Sequence, residues 1–215
     1  MDTAPATHAE RMAAGLWYDA NFDPELLEAR RRAASACHAF NACDPADAEE
    51  CDRLMRAVLG SVGEGVAVLA PLTVDYGSNV TLGDGCFVNH GAYFMDGAPV
   101  TLGSHVFVGP DCGFCTARHP LVAEERDAGW EQALPITVGD DVWIGAKVCL
   151  LPGVTVGAGS VVGAGSVVTR DVPPGVVAAG NPCRPVRTIT DADRVLSGGV
   201  PRDRGLAAPA GTPHV

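Results

Sequence analysis

Apolar residues recur every six positions between residues 70 and 168, a spacing that neither a helix of period 3.6 nor a strand of period 2 produces. They fall at Ala70, Tyr76, Leu82, Val88 and Phe94, and after a two-residue slip at Leu102, Val108 and Phe114. They return in phase at Val138, Ile144, Leu150, Val156, Val162 and Val168. A chain that turns a corner every six residues explains this: one side chain per short strand points to a common axis, and three strands close one coil. Such coils stack about 4.8 Å apart through backbone hydrogen bonds, and stability accumulates along the stack. Glycine follows many inward positions (Gly77, Gly83, Gly103, Gly109, Gly139, Gly145, Gly157, Gly163), which we read as corners that need a permissive backbone. Four residues after an inward position stands a small or β-branched residue. That second inner set takes in Val80, Val106, Val142, Ser160, Ser166 and two cysteines, Cys86 and Cys112.

The period is interrupted once, between Phe114 and Val138. Because the chain leaves and re-enters in phase, residues 115–137 read as a loop extruded from one corner, with His119 at its root; long loops in compact folds are commonly functional. Ahead of the repeats the texture is helical. Asp23-Pro24-Glu25 supplies an N-cap, a proline at the first helical position and an acidic first turn for a helix running to about Cys43. Asp44-Pro45 repeats that signal before AEECDRLMRAVLG. The expected organisation is an N-terminal helical lobe over 1–62, a β-rich repeat domain over 63–190 with its loop and a C-terminal capping excursion, and a mobile Gly-, Pro- and Ala-rich tail over 191–215.

Charge narrows the partners. With 15 Lys+Arg against 26 Asp+Glu the chain carries a net charge of −11 and no basic run, which argues against nucleic acid or an anionic membrane. No apolar run reaches the roughly 18–20 residues of a membrane helix, and the N-terminus lacks a signal-peptide pattern, so the expected setting is cytoplasmic. There the eight cysteines are expected reduced. Cys112-x-x-Cys115 has motif spacing, but one pair cannot fill a tetrahedral zinc site, so no metal is expected and the cysteines read as small core side chains.

Taken together, AGLWYDANFDPELL, DYGSNVTLGDGCFVNHGAYFMD, the ARHP loop root, PITVGDDVWIGAK and GNPCRP are similar to the hexapeptide-repeat sugar O-acetyltransferases of the maltose, galactoside and nodulation-factor type. The match runs from about Ala9 to Ile189. The resemblance implies a mainly β fold, a left-handed parallel β-helix with a small N-terminal α-helical lobe. It also implies a homotrimer, acetyl-CoA as donor, and active sites between subunits that accept a small hydroxylated molecule.

Acetyl transfer to a hydroxyl needs a base, and histidine suits neutral pH. Of the six histidines, only His119 lies where the extruded loop departs, and it matches the family's catalytic histidine. The resemblance places Asn89, Asp96 and Asp75 on the acceptor side, although Gly97 stands where a galactoside-type enzyme carries a further acid. Asp19 reads either as closing the acceptor site or as packing, and Trp143 either as a sugar-stacking surface or as subunit packing. The Ala146 backbone N–H matches the group that stabilises the thioester oxyanion. Ala146, Ala164 and Thr169 match positions along the pantetheine arm, and Arg170, Arg184 and Arg187 the cations that meet the phosphates of CoA. Two other classes compete. One is a metal hydratase of the carbonic anhydrase kind using His90, His105 and His119, and the other a non-catalytic trimeric scaffold.

Overall fold

The computed structural model describes residues 7–197 together with Val200 and Pro201. Three helices come first: α1 (His8–Ala13), α2 (Pro24–Asn41) and α3 (Ala48–Val58). α2 starts as expected, the Asp23 carboxylate accepting from the Leu26 N–H at 2.9 Å. The second start is displaced by three residues. Asp44 instead closes a turn by accepting from the Ala46 N–H, and Asp47 caps α3. Ala33, Cys37, Phe40, Met55 and Val58 carry the two helices onto the repeat domain, and the Asn41 amide exchanges two 2.8 Å hydrogen bonds with the Leu72 backbone.

The fold is mainly β, a three-sided left-handed parallel β-helix whose faces are sheets of five, five and seven strands. Strand register defines three inner columns: Val62–Leu82–Leu102–Val138–Val156, Val68–Val88–Val108–Ile144–Val162, and Val74–Phe94–Phe114–Leu150–Val168. Burying each aliphatic side chain here is worth about 1.5–3 kcal/mol relative to exposure. Phe94 and Phe114 stack with centroids 4.6 Å apart.

The register corrects the sequence reading at its start. Ala70 and Tyr76 lie at corners outside the strands, whereas Val62 and Val68, themselves partly buried, and the buried Val74 head the columns. A second two-residue slip falls between Val74 and Leu82, so the early coils advance twenty residues (Val62 to Leu82 to Leu102) and the later ones eighteen (Val138 to Val156). The second inner set is where it was expected, Cys86 and Cys112 each being 1% exposed.

The corner glycines also have a different cause from the one expected. Of those eight, Gly77 alone has a positive φ, of 75°. At Gly139 an added Cβ would stand 2.7 Å from the Ala158 amide of the next coil, so these glycines exist because coils approach too closely for a side chain. Left-handed angles occur two residues further on, at His105, Asp111, Asp141 and Lys147 (φ 56–58°) and at several glycines.

One further expectation changes. Cys43 and Cys51 form a disulfide rather than staying reduced, because the turn between α2 and α3 brings their Cα atoms to 5.8 Å. At the other end, Val176–Ala179 pairs antiparallel with Arg184–Thr188 and closes the stack. Within the expected tail stand a 3₁₀ turn, Asp191–Asp193, and a short pairing of Leu196–Ser197 with Val200–Pro201. The rest of that expectation, at 198–199 and 202–215, lies outside the described residues.

Candidate active site

The extruded segment is a hairpin. Ala117–Arg118 pairs antiparallel with Trp130–Ala133, which pairs in turn with Tyr18–Asp19 from the helical lobe. A short helix, α4 (Ala123–Asp127), forms the tip, and Gly129 (φ 88°) returns the chain. Arg118 is fixed by two hydrogen bonds to Gln132 Oε1 and lies over the Trp17 ring at 5.7 Å. His119 follows, its side chain about half exposed, on a hollow of about 570 Å³ lined also by Arg11, Trp17, Leu121 and Trp130.

His119 Nδ1 faces the Trp130 carbonyl at 3.3 Å, and Nε2 faces Glu131 Oε2 at 3.7 Å. A carbonyl oxygen only accepts, so Nδ1 carries the proton and Nε2 presents the lone pair. The other Glu131 oxygen accepts from the Tyr18 hydroxyl. Tyr18 is fully buried, and burial with the Glu131 hydrogen bond pushes its pKa far above the ordinary phenol range, so it stays a donor. Glu131 was missed in the sequence because nothing within one strand marks it; only pairing across two chain segments makes it a partner of His119. His8 lies near this group as well: its Nδ1 accepts from the Asp19 amide and its ring lies 6.0 Å from Trp130.

The acceptor-side residues separate. Asp96 is completely buried and its carboxylate accepts from the backbone amides of Asp75, Tyr76 and Asn79 at 2.8–3.2 Å. This corrects its assignment to the acceptor: the group holds the enlarged corner after Val74. Asp75 is half-buried, receives a 2.7 Å hydrogen bond from the Tyr93 hydroxyl, and is pushed up by burial. At Gly97 an added Cβ would meet the Tyr18 hydroxyl at 2.8 Å and Glu131 Oε1 at 3.6 Å, so Tyr18 and Glu131 occupy the room a further acid there would need. The Asp19 carboxylate accepts from the Asn21 and Phe22 amides. Asn89 lies at a corner, its Oδ1 accepting from the His90 amide, and no hydrogen bond joins it to His119 within the chain. Trp143 is 46% exposed and pairs in register with Phe107 on an outer face, in a strip with Phe87, apart from the His119 hollow.

On the donor side, Ala146 and Ala164 occupy equivalent corners one coil apart, since Ile144 pairs with Val162. Neither N–H has a hydrogen-bond partner among the described residues. At another corner the matching amides of Glu64 and Ser104 are taken by Asp84 and Asp140 of the next coil. Alanine at 164 has no acceptor to offer, so the Ala146 amide stays available. Arg184 Nη1 lies 3.4 Å from Thr169 Oγ1, Arg187 pairs with Asp193 at 2.9 Å, and Arg170 is exposed nearby in sequence. Among the described residues no group of three or more His, Cys, Asp and Glu side chains is arranged to hold a metal: His90 meets the Ala70 carbonyl and His105 stands over Gly85. Among the described residues no helix is long and apolar enough to cross a membrane.

Comparison with known proteins adds three findings. Residues 11–63 match the maltose acetyltransferase hexapeptide capping motif, and residues 135–170 the bacterial transferase hexapeptide of six repeats. A Saccharomyces cerevisiae protein that carries an acetyltransferase designation is 45% identical over 184 residues, 86% of this chain and 94% of its own. Among solved structures, a maltose O-acetyltransferase from Clostridium difficile 630 superposes with a TM-score of 0.85 at 37% identity, covering 87% of this chain and all of that one. A galactoside acetyltransferase in complex with coenzyme A gives 0.84 at 38% identity, covering 87% and 94%.

Proposed function

Because this chain belongs to the hexapeptide-repeat acetyltransferases, we propose that it moves an acetyl group from acetyl-CoA to a hydroxyl of a sugar or sugar-like acceptor. Both substrates are bound together. His119 Nε2 takes the hydroxyl proton as the oxygen attacks the thioester carbon, the Ala146 N–H receives the developing oxyanion, and the CoA thiolate leaves, recovering the proton from the imidazolium. Proximity of the two bound substrates supplies much of the rate. Glu131 favours the imidazolium while it lasts, and Tyr18 keeps that carboxylate in place. Ala164 and Thr169 bind the pantetheine arm, and Arg170, Arg184 and Arg187 the phosphates.

The observation that carries this reading is the His119 ring held between the Trp130 carbonyl and Glu131, with one nitrogen committed to donating and the other free to accept. That no hydrogen bond joins Asn89 to His119 within one chain fits sites completed by a neighbouring subunit of a homotrimer, in which Asn89 and Asp75 meet the acceptor. A cytoplasmic setting, with its supply of acetyl-CoA, fits the same reading. The test is CoA release across a panel of hydroxylated acceptors by the native protein and by His119→Ala. Native turnover that the variant lacks is expected; equal turnover would remove the base.

A further inference from the structure

Cys115 and Cys149 stand side by side with their sulfurs 3.9 Å apart, both partly exposed and neither used in the transfer reaction. The spacing in the sequence pairs Cys115 with Cys112, but Cys112 points into the core, its thiol against the Gly145 carbonyl at 3.1 Å. Cys149 comes from the next coil. The register sets it opposite Gly113, and the Cys115 sulfur leans over that glycine, 3.6 Å from where a Cβ would stand. The absent side chain is what lets the two thiols meet. They are not equivalent: the hydrogen bond from Cys115 holds the Cys149 thiol down to about 7, while that bond and burial push Cys115 up.

The location gives the pair a consequence. Cys115 ends a strand, and the next residue, the buried Thr116, opens the hairpin that carries His119, anchored through its hydroxyl to the Met95 carbonyl at 2.5 Å. Strands about 4.8 Å apart with partners two residues out of register have Cα atoms roughly 8 Å apart. A disulfide wants about 4.4–6.8 Å. Joining the two sulfurs therefore has to pull the hairpin root toward the next coil, and a bridge made under such strain is readily reduced.

We propose that Cys115 and Cys149 form a reversible thiol-oxidation site that governs the hairpin bearing His119. The Cys149 thiolate attacks a low-molecular-weight disulfide of the glutathione kind, forming a mixed disulfide and releasing one thiolate. Cys115, as its proton is lost, attacks the Cys149 sulfur and releases the second thiol. Two protein thiols are oxidised to one disulfide, and the small disulfide is reduced to two thiols. Loss of acetyl transfer as the consequence rests on the function proposed above; the chemistry and the movement do not.

The test treats native protein, Cys115→Ser and Cys149→Ser with oxidised glutathione, followed by peptide mapping, hydrogen exchange and CoA release. Native protein is expected to yield a Cys115–Cys149 linked peptide and faster exchange over residues 116–133. Its transfer rate should fall at least about tenfold and recover with dithiothreitol, the fall a hairpin misplaced by about 1 Å would give. Cys115→Ser should retain a glutathione adduct on Cys149, and Cys149→Ser should keep its activity through the same cycle. Native protein left unlinked at these residues, or linked with unchanged exchange, would overturn the proposal. A linked protein with altered exchange whose untreated form turns over no acceptor would leave the site standing and remove the acetyltransferase reading.

Discussion

His119, just past one strand of the hairpin, and Glu131 on the other strand face each other across 3.7 Å, too far for a hydrogen bond and close enough for charge to matter. While the ring is neutral, a lone pair at Nε2 gains nothing from a carboxylate. Once that nitrogen has taken a proton the two attract, so the stabilisation appears as the reaction proceeds. Catalysis requires this property of any accessory charge.

His119→Ala is therefore expected to lower kcat by about 10²–10⁴, the usual worth of a positioned base, with the KM for acetyl-CoA nearly unchanged. Glu131→Gln keeps an oxygen for the Tyr18 hydroxyl and loses only the charge. It should lower kcat by roughly tenfold, since one pair interaction of about 1.4 kcal/mol is at stake. Steady-state kinetics on both variants checks the order; a Glu131→Gln enzyme as fast as native would show that the carboxylate acts only through packing.

Asp96→Asn is expected to cost stability without altering acceptor KM. Asparagine presents an NH₂ group to some of the three amides that the carboxylate satisfies, a loss of about 1–3 kcal/mol in denaturant unfolding. Burial pushes the Asp96 carboxyl above its ordinary 3.8 against the pull of those amides. An acid raised in the folded state binds its proton more tightly there than in the unfolded chain. Its contribution is thus complete below about pH 3.8 and fades as pH rises through the raised value. The stability difference between native protein and Asp96→Asn should shrink upward from that pH and then level off; Asp75, also raised, is common to both proteins. A difference that grows with pH would contradict the burial account.

The coil was legible because its inner columns are a one-dimensional pattern: Leu82 to Phe94 and Leu102 to Phe114 could be counted. The first coil was misread because extrapolating six backwards from Leu82 lands on Tyr76. The enlarged corner that shifts the column to Val74 is held by Asp96, twenty residues further on. His119 was visible from the break in period, whereas Glu131 and Tyr18 were not, because their contact depends on the helical lobe supplying a strand to the hairpin. The Asp96 assignment failed for a related reason: a carboxylate that faces a ligand and one that ties down a corner look alike in sequence, and only burial separates them.

Two glycine classes should respond differently to alanine. At Gly139 the new Cβ would lie 2.7 Å from the Ala158 amide, against backbone that cannot give without separating coils, so Gly139→Ala should abolish cooperative unfolding or soluble expression. At Gly159, φ is 67° and nothing lies within 4 Å, so Gly159→Ala should cost only about 1–2 kcal/mol of left-handed backbone strain. Thermal unfolding compares them directly, and equal losses would show that the coils give way to a Cβ and that their spacing does not select glycine at Gly139.

At the C-terminal end, Arg184 and Arg187 are exposed, in a chain of strongly negative net charge. Replacing both by Ala should raise the KM for acetyl-CoA roughly tenfold while leaving the acceptor KM in place, because hydrogen bonds to charged groups are the stronger kind and these would meet only the donor. Arg187 is already engaged by Asp193, whose carboxyl it holds below its usual range. Asp193→Asn should thus free a cation for the donor phosphates and lower that KM. Both effects should weaken as salt is raised, since exposed charges are screened over about 8–10 Å at ordinary ionic strength. Donor KM values measured across a salt series separate this from a structural effect of the substitutions: a donor KM that stays put in the double variant at low salt would place the phosphates elsewhere on the prism.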